Sequence, residues 1–101
     1  MDIQKLLKQA QKMQGDIKKT EAELNEKEYA GSASNGAVRI ILKGSYEVVS
    51  MSIEDDLVDK ENKEMLIDLV QIAMNDAMRK VKEDRDKLMG SLTGGVSFPG
   101  M

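Results

Sequence analysis

The chain has 101 residues, of which 41% are apolar and only three are aromatic, so it fits a single domain with a small core. It contains no Cys and no His, which excludes disulfides, thiolate metal sites and the commonest general base. Its net charge of −3 is not typical of a nucleic-acid binder, and no apolar run approaches the ~20 residues that span a bilayer, so we expect a cytoplasmic protein.

A heptad repeat at the start of the chain predicts a long first helix over residues 1–27, with Asp2 placed to cap it. Its a and d positions are Ile3, Leu6, Ala10, Met13, Ile17, Thr20 and Leu24. So narrow a stripe packs against one partner helix and not against a broad core. About 24 residues at ~1.5 Å each span roughly 36 Å. A compact chain of this length has a radius of gyration of about 13 Å, so part of the helix should project.

An apolar period of two follows and predicts an antiparallel sheet over residues 28–57. The alternating residues are Val38, Ile40, Leu42, Val49, Met51 and Ile53. Gly44 lies between the two runs and could turn the chain with a positive φ. Because a two-stranded hairpin is marginal alone, we expect a third strand from about residues 28–33, or a partner subunit, to complete the sheet.

A second long helix is predicted over residues 60–89, capped by Asp59 or Asn62. Ten of the fourteen residues from 65 to 78 are apolar, so this half should be buried on more than one side. The candidates for the core or a dimer interface on this helix are Leu66, Leu69, Val70 and Ala73. The more polar half should leave the body at about Arg79. Residues 90–101 form a tail that contains too many glycines to be helical. Dimerisation is the expected way to complete so small a core.

Positive charge concentrates at the helix ends that are distant from the predicted sheet. Residues 1–20 hold five lysines against two aspartates, and residues 79–89 hold five basic residues against three acidic ones. An antiparallel helix pair would bring these two ends together as a basic projection that could contact phosphates. The alternative to phosphate binding is that such lysines only keep an amphipathic helix soluble. The candidate DNA-binding residues are Lys5, Lys8, Lys12, Lys19, Lys80, Lys82, Arg85 and Lys87.

Other functional constellations are weak. The Glu54-Asp55-Asp56 run lacks the ligand spacing and glycine of a calcium loop. Paired catalytic carboxylates, a nucleophile with its base and a phosphate-binding P-loop are also missing. We therefore expect no enzyme activity, no metal, no cofactor and no small-molecule ligand.

With these residues laid out, the chain resembles the YbaB/EbfC family of nucleoid-associated DNA-binding proteins along nearly its whole length. The matching stretches, specific as an ordered set, are residues 3–14 (IQKLLKQAQKMQ), 36–40 (GAVRI), Gly44, Ile53, 73–77 (AMNDA), 89–95 (MGSLTGG) and 98–100 (FPG). The resemblance implies an α+β subunit, helix, three-stranded antiparallel sheet and long helix, in a tweezer-like homodimer with projecting helices. It further implies binding to double-stranded DNA in the bacterial cytoplasm and nucleoid, with effects on nucleoid organisation and gene expression.

The resulting hypothesis is a homodimer that binds double-stranded DNA, mainly through phosphate contacts from basic helix ends, with no membrane association. The alternative, favoured by the net negative charge, is a protein–protein adaptor that docks partner helices on the same apolar stripe.

Overall fold

The computed structural model describes residues 2–92, and it confirms the predicted α+β order of helix, three-stranded sheet and helix. The elements are α1 (Ile3–Glu26), β1 (Glu28–Ala33), β2 (Val38–Lys43), β3 (Val48–Ile53) and α2 (Lys63–Leu92). Two short 3-10 turns, Asp55–Leu57 and Lys60–Asn62, connect β3 to α2. Helix α2 begins and ends three residues later than predicted, because residues 60–62 form a 3-10 turn and Gly90 continues the helix to Leu92. The predicted tail from residue 93 lies outside the described residues.

Local caps set the ends of both helices. As predicted, Asp2 is the N-cap of α1, and its carboxylate accepts a hydrogen bond from the Gln4 backbone N–H at 3.1 Å. Helix α1 ends at Glu26, and Lys27, in extended conformation, leads directly into β1. Asp59 caps the second 3-10 turn through the Glu61 backbone N–H, and that turn continues into α2.

The sheet has the order β1-β2-β3 with antiparallel neighbours. Val38 of β2 lies opposite Ala33 of β1 and Ile53 of β3. Between Ile41 and Leu42 the β2–β3 register shifts by one residue, as in a β-bulge.

Gly44 lies in the turn between β2 and β3, as predicted, but the predicted reason for a glycine there, a positive φ, was wrong. The positive φ of the β2–β3 turn belongs to Tyr46 (φ 70°), and Gly44 has no positive φ. A Cβ on Gly44 would instead lie 1.7 Å from the Leu24 carbonyl oxygen, so a glycine lets the turn approach the end of α1.

The core lies between α2 and the first two strands. Its fully buried side chains include Val38, Ile40, Leu42, Ala73, Ala77 and Val81. The closest approach is at Gly31, where a Cβ would lie 2.1 Å from the Ala73 carbonyl oxygen. Small residues on both elements therefore let the helix backbone rest on the strand backbone.

The expected path of α2 needs two corrections. The helix does not leave the body at Arg79, because Val81 is only 1% exposed, and beyond it Asp84 contacts Tyr29 of β1 and Arg85 contacts α1. Nor is its first half buried on several sides, since Met65, Ile67 and Ile72 are exposed. The physical reason is that one short sheet covers one face of a helix, and a stripe of Ala and Val suffices for that contact.

The predicted core or dimer residues divide into three groups. Val38, Ile40, Leu42 and Ala73 are buried. Ile53, Leu66, Leu69 and Val70 are partly buried against this core. Val49 and Met51 of β3 are exposed, because α2 packs mainly on β1 and β2.

The molecule is elongated, as the heptad stripe predicts. It measures 70 × 26 × 16 Å, and its radius of gyration is 19.4 Å, against about 13 Å for a compact chain of this size. Leu24 of α1 is buried and Ile17 and Thr20 are half-buried, but residues 2–16 are exposed. The first half of α1 is therefore the projecting element, and we call residues 3–16 the prong.

The expected pairing of the two helix tips is not found among the described residues. Arg85 of α2 contacts Glu21 and Asn25 of α1, and α2 is described only seven residues further, to Leu92. Since both helices advance ~1.5 Å per residue, the prong extends roughly 20 Å beyond Leu92. The predicted shared basic projection is thus mainly the prong of α1.

Candidate nucleic-acid interface

The prong and its base carry four of the predicted DNA-binding residues. Lys5, Lys12 and Lys19 are spaced by seven residues and share one side of α1, with Lys8 on a neighbouring line. All four side chains are exposed, and none forms an ion pair within residues 2–92. From Lys5 to Lys19 the helix rises roughly 21 Å, so these cations could follow several phosphates of a duplex.

The four candidates on α2 are not equivalent. Lys82 and Lys87 are exposed and form no ion pair in the described part of the chain. Lys80 donates to the Ala30 carbonyl oxygen at 2.8 Å and lies 3.6 Å from the Asp76 carboxylate. Lys80 is therefore already engaged in holding α2 to β1.

Arg85 is the most constrained of the eight residues. Its guanidinium donates to Asn25 Oδ1 and to the Gly44 carbonyl oxygen, both at 2.8 Å, and lies 3.8 Å from Glu21. One side chain thereby joins α1, α2 and the β2–β3 turn at the base of the prong. Both hydrogen bonds come from one nitrogen, Nη2, whose two N–H groups point in directions fixed by the guanidinium plane.

A polar cluster beside Arg85 also fixes the base of the prong. Asp84 accepts a hydrogen bond from Lys27 Nζ at 2.8 Å and another from the Tyr29 hydroxyl. These bonds, from Lys27 first and then Tyr29, lower the pKa of Asp84. Burial, together with the bond to Asp84, raises the pKa of Tyr29 to about 12. The cluster therefore holds an ionised carboxylate and a neutral phenol at neutral pH.

The free edge of β1 is covered by α2 side chains. The Ser32 backbone N–H donates to Asp76 at 3.1 Å, and the Ala30 carbonyl accepts from Lys80. The hydrogen bond from Ser32 lowers the pKa of Asp76, and the positive charges of Lys80 and Arg79 lower it further. An edge strand whose alternate backbone groups are satisfied in this way is a poor template for another strand.

Sequence reasoning missed both acidic residues. Asp76, Lys80 and Asp84 are spaced by four residues, which places them near one another on one side of α2. This row of Asp, Lys and Asp beside the apolar stripe could have predicted from the sequence that α2 stays in contact with the sheet.

The free edge at β3 is different in character. Val48, Val49 and Met51 are exposed there, and Ile67 and Met78 of α2 are exposed as well. The positions of Ile67, Met78 and Arg85 on α2 differ by 11 and then 7 residues, so they share one helix face. That face points toward β3, because Arg85 contacts the β2–β3 turn. We call this apolar surface, Val48, Val49, Met51, Ile67 and Met78, the β3–α2 face.

In the described part of the chain, no helix combines the length and apolar character of a membrane span. Among the same residues, no three acidic side chains lie close enough together to form a metal site.

Comparison with known proteins identifies clear relatives. The model of the YbaB/EbfC DNA-binding family matches residues 1–96. A nucleoid-associated protein of Alkaliphilus metalliredigens is 45% identical over 100 residues, covering 99% of this chain and 88% of its own. One of Clostridium novyi is 46% identical over 101 residues, covering 100% of this chain and 89% of its own. The crystal structure of an uncharacterized protein from Helicobacter pylori superposes with a TM-score of 0.79 at 26% identity, covering 93% of this chain and 99% of that one.

Proposed function

The chain belongs to the YbaB/EbfC DNA-binding family, and on that premise we propose that it binds double-stranded DNA as a homodimer through phosphate contacts from its projecting helices. By altering the conformation of DNA in the nucleoid, it would influence nucleoid organisation and gene expression. The observation that carries the proposal is the prong, a helix held away from an acidic body, whose lysines are exposed and form no ion pair with residues 2–92.

The charge distribution supports phosphate contacts. Five lysines against two aspartates give residues 1–20 a local charge of +3 in a chain whose total is −3. The remaining residues therefore carry −6, so only a projecting element could meet DNA without bringing the acidic body against it. Releasing condensed counterions is the dominant favourable contribution to such binding.

The eight candidate residues contribute in two ways. Lys5, Lys8, Lys12 and Lys19, with the exposed Lys82 and Lys87, are the proposed phosphate contacts. Lys80 and Arg85 are held by acceptors within the chain, so their proposed contribution is to the position of the helices.

The homodimer is supported by the β3–α2 face. Monomeric proteins seldom expose an apolar patch of several large side chains, and here five are exposed on β3 and on the face of α2 that carries Arg85. The edge of β1 is blocked by Asp76 and Lys80, so β3 is the edge left for a second subunit. Pairing there would give one particle two prongs.

The test compares two double variants of equal charge. Lys5→Gln/Lys12→Gln removes two cations from the prong, and Lys60→Gln/Lys63→Gln removes two exposed cations near the start of α2. Each phosphate contact contributes about 0.9 to the slope of log affinity against log salt. The prong variant of a dimer should therefore flatten the slope by roughly 2 to 4, and the control should leave it almost unchanged. Equal effects of the two variants on random duplex DNA would contradict the proposed contact site.

The adaptor remains a second candidate because the apolar side chains of the prong are exposed, including Ile3 and Leu7. It predicts no binding to random duplex even at ~50 mM salt, where non-specific DNA binding is strong.

A further inference from the structure

The apolar stripe of the prong has no partner within the described residues. Ile3 is 70% exposed, Leu6 47% and Met13 46%, although they continue the line on which Leu24 is buried. The base of the stripe is half-buried or buried at Ile17, Thr20 and Leu24, where α1 meets α2. Two heptads of the same stripe are left uncovered beyond it.

The residues that flank this stripe are compatible with a second helix. Leu7 and Gln14 lie on one flank, and Gln9 on the other, so no cation borders the seam in these two heptads. Lys5 and Lys12 occupy c positions and Lys8 an f position, on the outer sides of the helix. A partner helix could therefore cover the stripe without burying a lysine.

We propose that the prong pairs in an antiparallel arrangement with the prong of a second copy of this chain. In the proposed register, two residues lie opposite each other when their numbers add up to 16. Each a or d residue of one prong then meets an a or d residue of the other. Ile3 then faces Met13 of the second copy, and Leu6 faces Ala10. The large side chain of Leu6 fits over the small Ala10, and the two-fold axis repeats both layers in reverse.

The stripe is thus complementary to itself in one direction. In a parallel pair, Ala10 would face Ala10 and leave a gap that the bulky layers around it would hold open. In the antiparallel pair, the two Leu7 side chains also meet near the two-fold axis, because e positions face e positions in that orientation. This additional apolar contact exists in the antiparallel pair only.

The tip-to-tip contact differs from the β3–α2 face proposed for the homodimer. It lies on another element, and it is small, since two heptads bury less than the roughly 1,200 Å² of a stable interface. A weak contact between the prongs of separate particles would join them end to end while the lysines stay outside the seam. Such links would connect copies already bound along DNA.

Salt should separate this contact from DNA binding. Two prongs that each carry three lysines against one aspartate, a local charge of +2, repel one another. Raising the salt from about 0.1 to about 1 M shortens the screening length from ~10 to ~3 Å. Self-association should therefore strengthen with salt, whereas binding to phosphates weakens.

The absence of Cys from the chain allows a direct crosslinking test. Leu7→Cys places one thiol near the proposed axis, and the control Lys8→Cys places it on the outer side of the helix. Under mild oxidation at high salt, Leu7→Cys should form a disulfide-linked pair much faster than Lys8→Cys, because disulfides need Cβ atoms about 4 Å apart. Equal rates of crosslinking would overturn the proposed register.

Sedimentation of the wild type and of Leu6→Gln/Met13→Gln provides the second measurement. Gln is a good helix former and both positions are exposed, so the double variant should keep the prong helical. At high protein concentration and about 1 M salt, the wild type should reach at least twice the mass of the variant, because a particle with two prongs can join more than one other particle. Equal masses would overturn the proposal, as would wild-type binding to phosphatidylglycerol vesicles without self-association. DNA affinity at low salt should be similar for both proteins, so a marked drop in the variant would implicate the proposed DNA contact and not the pairing.

Discussion

Replacement of Arg85 distinguishes a residue that positions the prong from one that contacts phosphate. Its guanidinium joins Asn25 of α1 to the Gly44 carbonyl of the β2–β3 turn, with both bonds at 2.8 Å. Arg85→Ala removes both bonds at once. Helix α1 then loses a fixed point just where it leaves the body.

The size of the effect follows from the two bonds. Hydrogen bonds from a charged group contribute about 1.5–3 kcal/mol each. The Arg85 side chain is 25% exposed, so water can reach part of the vacated site. We therefore expect Arg85→Ala to lower the free energy of unfolding by about 2–3 kcal/mol in total. Lys87→Ala, which removes an exposed cation, should change it by less than about 0.5 kcal/mol.

The DNA measurements should show the reverse pattern. Arg85→Ala should weaken duplex binding without changing the salt slope, because each bound particle still neutralises the same number of phosphates. Lys87→Ala should flatten the slope by about 0.9 for each phosphate that its ammonium no longer neutralises. Urea denaturation followed by circular dichroism, and fluorescence anisotropy on a labelled duplex at several salt concentrations, give the two quantities.

Arg85→Lys provides the decisive control. It keeps the charge but replaces the planar guanidinium by an ammonium, whose N–H groups are not held in the plane that directs the two Nη2 hydrogen bonds. We expect it to be destabilised almost as much as Arg85→Ala. If Arg85→Lys instead matched the wild type and Arg85→Ala flattened the salt slope, Arg85 would be a phosphate contact and the reasoning would be refuted.

Three further predictions concern the fold that supports the prong. Gly31→Ala should lower the free energy of unfolding by about 3 kcal/mol, because its Cβ would meet the backbone of α2. The matched variant Gly15→Ala has open space around the new Cβ and should raise the free energy of unfolding by about 0.5–1 kcal/mol. The pKa values of Asp76 and Asp84 are lowered in the folded state, so the stability that these carboxylates contribute is present above the ordinary carboxyl pKa of about 3.9. That stability is lost as the pH falls through the folded-state pKa values. Denaturation curves below about pH 4 should show this loss, and Asp84→Asn should reduce it. The phenolate absorbance should contain a component that titrates near pH 12 and disappears in Tyr29→Phe, and the stability linked to that phenol should be present below about pH 10 and lost above it.

Prediction from the sequence was most successful where one residue pattern determines one element. The heptad from Ile3 to Leu24 predicted α1 and its projection, and the period of two predicted β2 and β3 within a three-stranded sheet. Asp2 was correctly identified as a cap because capping involves only residues two or three apart. These features depend on neighbours along the chain.

Prediction was least successful where two distant segments compete for the same side chain. Arg85 was counted with the exposed cations because its neighbours in sequence are charged, but Asn25 and Gly44 occupy its donors in the folded chain. Likewise, the apolar richness of residues 65–78 suggested burial on several sides, yet Ile67 and Ile72 are exposed. A sequence shows how much apolar surface a helix has, but not how much sheet is available to cover it.

The sequence alone therefore determined the order and type of the elements, the projecting helix and the lysines along it, because local periodicity and charge are written residue by residue. Only the tertiary structure decided that α2 stays on the sheet and that Lys80 and Arg85 hold the helices in place. It also decided that residues 2–92 leave the β3–α2 face and the stripe of the prong uncovered. Those outcomes depend on which surfaces meet across 41 to 60 residues of chain, and a contact over that separation is set by the packing of the whole domain.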